Sequence, residues 1–432
     1  MGLTLNDGYG GGGSSSYPTL EVTITNGPAT SVTATLGSTV VNLTYDSTAG
    51  VWRGTLKAFG PWTVDASNGE KTVSDTVTIA SVAVYTLTLG FVTIYGVEWD
   101  GSSTTAWTRT DAAANFTDPV PYVAGATRYG SPFDMIQPWA GMVKENRTGG
   151  VMVAIPKFWY KITQSGNGLK IQIADGAVDG FSVSPAHMDR GDGKGERDVV
   201  YVGRYHCANS TYKSETGKTP MNYQTRSTFR TQCHNIGSTT WLMGWPMRFT
   251  LFLLYLVEFA DWNSQAKIGY GCGNGSMGYT DSMPYHTGTT LSSRTTYNLG
   301  TQYRWIEGLW DNVWDWIDEC YNSSNGLMLI INPANSSDSS GGVNVGKPSD
   351  SFPSQFTFKN VSGTFPLFIP SEAAGSDTTY SCDVWWYAGD AQPIPCAGYY
   401  SQDGGEAGLF SWEDFTSSQA LSKVGGRLQE LP

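Results

Sequence analysis

Pro246-Met-Arg-Phe-Thr-Leu-Phe-Leu-Leu-Tyr-Leu-Val-Glu-Phe259 is the stretch on which the fold turns. Proline suits the first position of a helix, where its missing N–H is not needed. The residues after it are apolar nearly all round, so the expected helix over 246–259 is buried rather than laid on a surface. Such a helix needs a shell on every side. The rest of the chain reads as short strands and long aromatic loops, which fits a compact α+β domain from about 151 to 432. A second helix is expected over 310–321, where Trp310, Trp314 and Ile317 recur at three- and four-residue spacing with Asp311, Asp315 and Asp318 between them.

Upstream the pattern changes. Leu20, Val22 and Ile24 alternate with Thr19, Glu21, Thr23 and Thr25, the period of a half-buried strand. Similar runs follow at 32–36, 40–45, 51–56, 62–66, 73–79 and 85–89, several separated by Gly, Asn or Pro turns. Seven short strands at this spacing predict a small Ig-like β-sandwich over 18–90. It carries no cluster of His, Cys or carboxylates and reads as a spacer. Residues 1–17 are Gly/Ser-rich and read as a flexible tether, and 91–150 as a junction.

At 432 residues the chain is too long for one ordinary core, and roughly 150 residues per domain gives two or three. A net charge of −12 without a Lys/Arg run argues against nucleic acid and anionic membrane as partners. The strongest apolar run, 251–257, is far short of the roughly 20 residues that span a bilayer. MGLTLNDGYGGGGSSS has neither a basic nor an apolar signal region, so synthesis in the cytoplasm is expected.

Six cysteines at 207, 233, 272, 320, 382 and 396 show no CxxC and read as buried free thiols. The four histidines stand apart and no HExxH, GxSxG or P-loop occurs, so neither a metal nor a cofactor is expected. Carboxylates at Asp311, Asp315, Asp318, Asp383, Asp390, Asp403, Glu406, Glu413 and Asp414 leave glycan cleavage open, because two of them would have to face each other at about 5–10 Å. Gly191-Asp-Gly-Lys-Gly-Glu-Arg-Asp198 lacks EF-hand spacing and reads as a salt-bridged turn.

Three stretches carry a resemblance. Gly308-Leu-Trp-Asp-Asn-Val-Trp-Asp-Trp316 resembles the GNVWEW signature of the formylglycine-generating-enzyme-like branch of the C-type lectin fold, with Asp311 in place of Gly and Asp315 in place of Glu. Ala397-Gly-Tyr-Tyr-Ser-Gln-Asp-Gly-Gly-Glu-Ala-Gly-Leu-Phe-Ser-Trp412, with Val424-Gly-Gly-Arg-Leu428, resembles the ending of that fold, in which an Arg-bearing strand closes the domain. Ile155-Pro-Lys-Phe-Trp-Tyr160, Val183-Ser-Pro-Ala-His187, Val200-Tyr-Val-Gly-Arg-Tyr-His-Cys207 and Leu256-Val-Glu-Phe-Ala-Asp-Trp-Asn-Ser-Gln265 are similar to tail proteins of phages and prophages of gut Firmicutes. Tyr95-Gly-Val-Glu-Trp99 and Phe116-Thr-Asp-Pro119 belong to the same pattern.

The resemblance implies a C-type-lectin-like domain on a phage tail tip, similar to retroelement-diversified variable proteins such as the major tropism determinant. Its partners would be a bacterial surface receptor, glycan or protein, and other tail and baseplate proteins. It would sit on the virion as a homotrimer, without inserting in a membrane. The oxidase branch uses a C-terminal cysteine pair only a few residues apart. Here Cys382 and Cys396 are fourteen apart and no RGGS stretch precedes them, so no enzyme is expected. The alternatives are an oxidase-like or glycan-cleaving tail enzyme, or a bacterial surface adhesin.

A variable binding site has to sit on loops that do not hold the core. Residues 387–418 mix aromatic and adaptable polar types, as paratopes do. Tyr387, Asp390, Tyr399, Tyr400, Ser401, Asp403, Trp412, Asp414 and Phe415 are therefore the expected receptor-binding residues, with Trp412 and Phe415 equally readable as core. Trp385 and Trp386 are adjacent, so on an extended segment only one of them readily faces a ligand.

Overall fold

This computed structural model describes residues 17–25, 28–69, 72–125, 128–272, 277–289, 300–387, 394–397 and 408–432, the side chains of 394–397 excepted. Asp390, Tyr399, Tyr400, Ser401 and Asp403 lie outside the described residues, as does the 1–16 tether. The chain divides into two compact units, 1–93 and 94–432.

Among its described residues the smaller unit has eight strands, β1 (Thr19–Thr25), β2 (Ser31–Leu36), β3 (Thr39–Asn42), β4 (Thr44–Asp46), β5 (Val51–Thr55), β6 (Gly60–Ser67), β7 (Thr72–Ile79) and β8 (Val84–Gly90). They form two four-stranded sheets, ordered β4-β5-β1-β8 and β3-β2-β6-β7. The period-2 residues do what alternation requires. Leu20 and Val22 of β1, Leu87 and Leu89 of β8, Val32 and Ala34 of β2 and Trp62 and Val64 of β6 bury into one core. Expected strand 40–45 is broken in two, because Leu43 leaves the ladder to bury its side chain.

The larger unit is also mostly β. Helix α1 (Arg226–Ile236) is capped by the Thr225 hydroxyl, which accepts from the Thr228 amide. Helix α2 (Trp245–Phe259) is the expected central helix, and all fifteen of its residues are buried, with Leu251, Leu253 and Leu254 at 0% exposure. It packs against a five-stranded sheet in which Ile94–Trp99 and Gly168–Ala174 are neighbours. Three of its polar side chains find partners, as buried polar groups mostly do, while Trp245 Nε1, Arg248 Nε and the Tyr255 hydroxyl are buried with no partner among the described residues. Arg248 donates to the Leu309 carbonyl (2.8 Å), and Thr250 to that of Pro246 (2.8 Å). Glu258 accepts from Arg304 Nε (3.0 Å), Tyr303 (3.1 Å) and Ser131 (2.7 Å).

A second five-stranded sheet runs Lys144–Arg147, Gly150–Pro156, Val199–Gly203, Leu428–Glu430 and Thr240–Leu242. The strand Leu428–Glu430 is interior to it, pairing Tyr201 with Glu430 on one side and Leu242 with Leu428 on the other. Residues 94–150 are not a junction. Tyr95 pairs with Ile173 and Trp99 with Leu169, so this stretch is built into the larger unit from Ile94 onward.

The helix expected over 310–321 is absent. Trp314–Trp316 is a strand between Ile394–Ala397 and Val424–Gly425, and Asn312 and Glu319 take left-handed φ values of 67° and 62°. Two such residues cannot sit inside an α-helix. The three- and four-residue spacing of tryptophans reflects a chain that turns repeatedly so that Trp310, Trp314 and Trp316 all bury. The three aspartates are buried as well, each against a partner. The 191–198 stretch is a salt-bridged turn, with Arg197 on Asp192 and Lys157 on Asp198 at 2.6 Å.

Candidate binding face

One guanidinium organises the C-terminal part of the larger unit. Arg427 Nε donates to Asp315 Oδ2 (3.1 Å). Its Nη1 donates to the carbonyls of Gly203 (3.0 Å) and Arg204 (3.1 Å), and Nη2 to those of Glu307 (2.8 Å) and Gly308 (2.9 Å). The group is fully buried, so its charge is tolerated only because every nitrogen is engaged. His206 lies 3.6 Å from Asp315 Oδ1. Burial, and then the Arg427 charge, push the His206 pKa well down, so it stays neutral.

The other aspartates of the motif are likewise occupied. Asp311 accepts from the Tyr279 hydroxyl and from the Thr301 amide (2.7 Å), and burial lifts its pKa to about 6. Asp318 holds Arg230 Nη2 at 2.7 Å. None of the three presents a free carboxylate to a substrate. Among the described residues no group of three or more His, Cys, Asp or Glu is placed to hold a metal ion. Cys207, Cys233, Cys320 and Cys382 are buried free thiols, as their scatter suggested, and Cys272 is buried too.

On this base stands a tryptophan stack. Trp385 and Trp412 lie parallel, 5.2 Å apart at 7°, and Trp245 of α2 meets Trp412 edge-on at 4.7 Å. Trp385 exchanges backbone bonds with Ser351 (3.0 and 2.7 Å), Trp412 N donates to the Val384 carbonyl (2.9 Å), and Trp386 N donates to the Trp412 carbonyl (2.8 Å). Residues 384–386 are thus pinned on both sides. Alternation then settles the adjacent pair, leaving Trp385 at 1% exposure and Trp386 at 42%.

The strand Trp412–Phe415 pairs antiparallel with Ile394–Ala397, so the chain between them starts and finishes on one sheet. Leu409 N donates to Ser264 (2.9 Å) and Phe410 N to Asp383 Oδ2 (2.8 Å). Gly408 has to be glycine, because a Cβ there would run into the Asp383 carboxylate. Burial lifts the Asp383 pKa well above the usual carboxylate range.

Four of the expected binding residues can be placed. Trp412 is core at 2% exposure, and Tyr387 is buried too, its hydroxyl donating to the Ser323 carbonyl (2.7 Å). These two belong to the scaffold and not to an open face. Asp414 is half-buried and accepts from Asn322 (2.6 Å). Phe415 is half-buried with its ring 4.8 Å from Trp314 and 6.0 Å from Trp316. Trp386 was missed as a candidate, although its neighbour's burial makes it the outward member of the pair.

Compared with known proteins, the chain matches no family model, and no curated protein matches it. Among the described residues no helix is long and apolar enough to cross a membrane.

Proposed function

We propose that the chain is a receptor-binding protein of a phage or prophage tail tip, and not an enzyme. In this reading the larger unit is a C-type-lectin-like domain that grips a bacterial surface, and the smaller one an Ig-like spacer. The observation that carries the reading is Trp386. A large indole stands 42% exposed on a backbone rung fixed by Ser351 and Trp412, beside the stretch 388–407. A rigid aromatic presented to solvent binds with little loss of side-chain freedom, and Trp is prominent among interface hot spots. The fixed rung also fits diversification of the neighbouring sequence, since the scaffold residues Trp385, Trp412 and Arg427 fall outside 388–407. The protein would be made in the host cytoplasm, carried on the virion and assembled as a homotrimer with other tail and baseplate proteins.

The experiment is adsorption of purified protein to a panel of Gram-positive gut isolates, with light scattering for the oligomer. Saturable adsorption to some isolates, weakened at least tenfold by Trp386→Ala, is expected. No adsorption to any isolate by a correctly folded protein overturns the reading.

A further inference from the structure

The larger unit has an open cleft of about 480 Å³ lined by Lys144, Asn146, Tyr205, Thr216, Thr280 and Asp281. That volume is in the range of about 300–1,000 Å³ typical of small-molecule sites. Its wall is built rather than incidental. Arg204, fully buried, lies directly behind it. Nε donates to the Tyr205 hydroxyl (2.9 Å), and Nη2 engages Asp281, Gln302 (2.9 Å) and Glu307. Its Nη1 is buried with no acceptor among the described residues. Leaving such a donor unpaired costs about 1–3 kcal/mol.

Asp281 also holds Lys144 Nζ (2.8 Å), and that ammonium lies 4.3 Å above the Trp305 ring. Trp305 and Arg304 form the two-residue turn between strands Thr301–Tyr303 and Ile306–Glu307, with φ values of 70° and 46°. Such turns favour Asn and Gly, because side chains are strained there. Here the strained turn is clamped by the Arg304–Glu258 pair, and the result is an aromatic set next to the cleft.

Charge decides the ligand class. Lys144 and Arg204 face Asp281 and Glu307, while Glu145, the remaining lining acid, is paired with Arg147 at 3.3 Å. The site is close to neutral and mixes donors with acceptors. An anion would meet Asp281, and a cation would meet Lys144. A hydroxyl donates and accepts at once, so it can engage both.

We propose that this cleft binds a neutral, hydroxyl-rich ligand, a saccharide unit of a bacterial surface glycan. The proposal rests on the receptor-binding reading and names the chemistry of one contact.

The test uses the full-length chain on an array of neutral oligosaccharides, with adsorption to the same isolates read in parallel. Asp281→Ala could loosen Arg204, so Lys144→Ala and Thr280→Trp accompany it. Thr280 is exposed, and an indole there would plug the cleft. Array binding that falls at least tenfold in Thr280→Trp and in Lys144→Ala, with melting unchanged, supports the cleft. Adsorption to cells with no array binding, or array binding that survives both substitutions, overturns it while the receptor reading stands. Array binding lost in these variants without adsorption to any isolate keeps the cleft and removes the receptor reading.

Discussion

Arg427 and Asp315 meet at 3.1 Å although 112 positions separate them, and the pair ties the strand Leu428–Glu430 to the strand Trp314–Trp316. Through Arg427 the contact extends to the chain at Gly203, Arg204, Glu307 and Gly308. The consequences divide by which partner is removed. Arg427→Met removes the guanidinium from one buried carboxylate and four carbonyls, of which that of Arg204 keeps the Glu307 amide as donor, and breaking a buried pair on one side costs about 3–5 kcal/mol. Arg427→Lys should be nearly as damaging, since an ammonium cannot serve five acceptors in a planar fork. Denaturant titration of both variants checks this. Stability of the lysine variant within about 1 kcal/mol of wild type would show that the fork geometry is unimportant.

Truncating α2 tests the core from inside. Leu253 is completely buried, and Leu253→Ala should cost about 2–5 kcal/mol. Because the chain has two compact units, calorimetry should show the loss in one transition while residues 17–93 melt as before. A uniform shift of both transitions would mean that the units unfold together.

Protonation should stabilise the larger unit locally. Burial lifts Glu307 to about 7 and Asp311 to about 6, despite the Arg204 and Tyr279 hydrogen bonds that oppose it. Each folded value lies above the unfolded one, so the folded state holds the proton more tightly. Their contribution is complete below about pH 4 and is lost as pH rises through 6 to 7. For Glu307 this amounts to about 3 kcal/mol. Relative to Glu307→Gln, wild type should lose stability between pH 5 and pH 8. A difference between the two proteins that is constant over this window would contradict the assignment.

The two neighbours Trp386 and Tyr387 should part company. Trp386→Ala removes an exposed ring and should reduce cell adsorption at least tenfold without a change in melting temperature. Tyr387→Phe removes a hydrogen bond to the Ser323 carbonyl and should cost about 1 kcal/mol of stability while adsorption is kept. The reverse pattern would place the binding face elsewhere.

Legibility in the sequence followed how local the cause was. The β1–β8 alternation and the all-round apolar α2 are written in consecutive residues, and both are present in the fold. Helix α1 was not foreseen, because Ser, Thr and Asn are weak helix formers and only Phe229 and Cys233 mark its inner face. The stretch 310–321 imitated a helix while its strand pairing depends on residues about eighty to one hundred and ten positions later. Periodicity gave no sign that Tyr95 and Trp99 belong to the larger unit, since their partners Ile173 and Leu169 are 78 and 70 positions away, and only the resemblance grouped them with its motifs. Trp412 illustrates the limit for the site. Aromatic composition marks a residue as important without saying whether it packs or binds, and only the Trp385 and Trp245 rings decide for packing.

The place of Leu428–Glu430 between Val199–Gly203 and Thr240–Leu242 also sets a timetable for biosynthesis. A ribosome adding about 5–20 residues per second takes roughly ten to fifty seconds to go from one neighbour to the inserted strand. Throughout that interval Tyr201, Val202 and Leu242 have their final sheet partner still unsynthesised. The nascent chain therefore carries an unfilled slot with bare backbone donors and acceptors, a template for pairing with another chain.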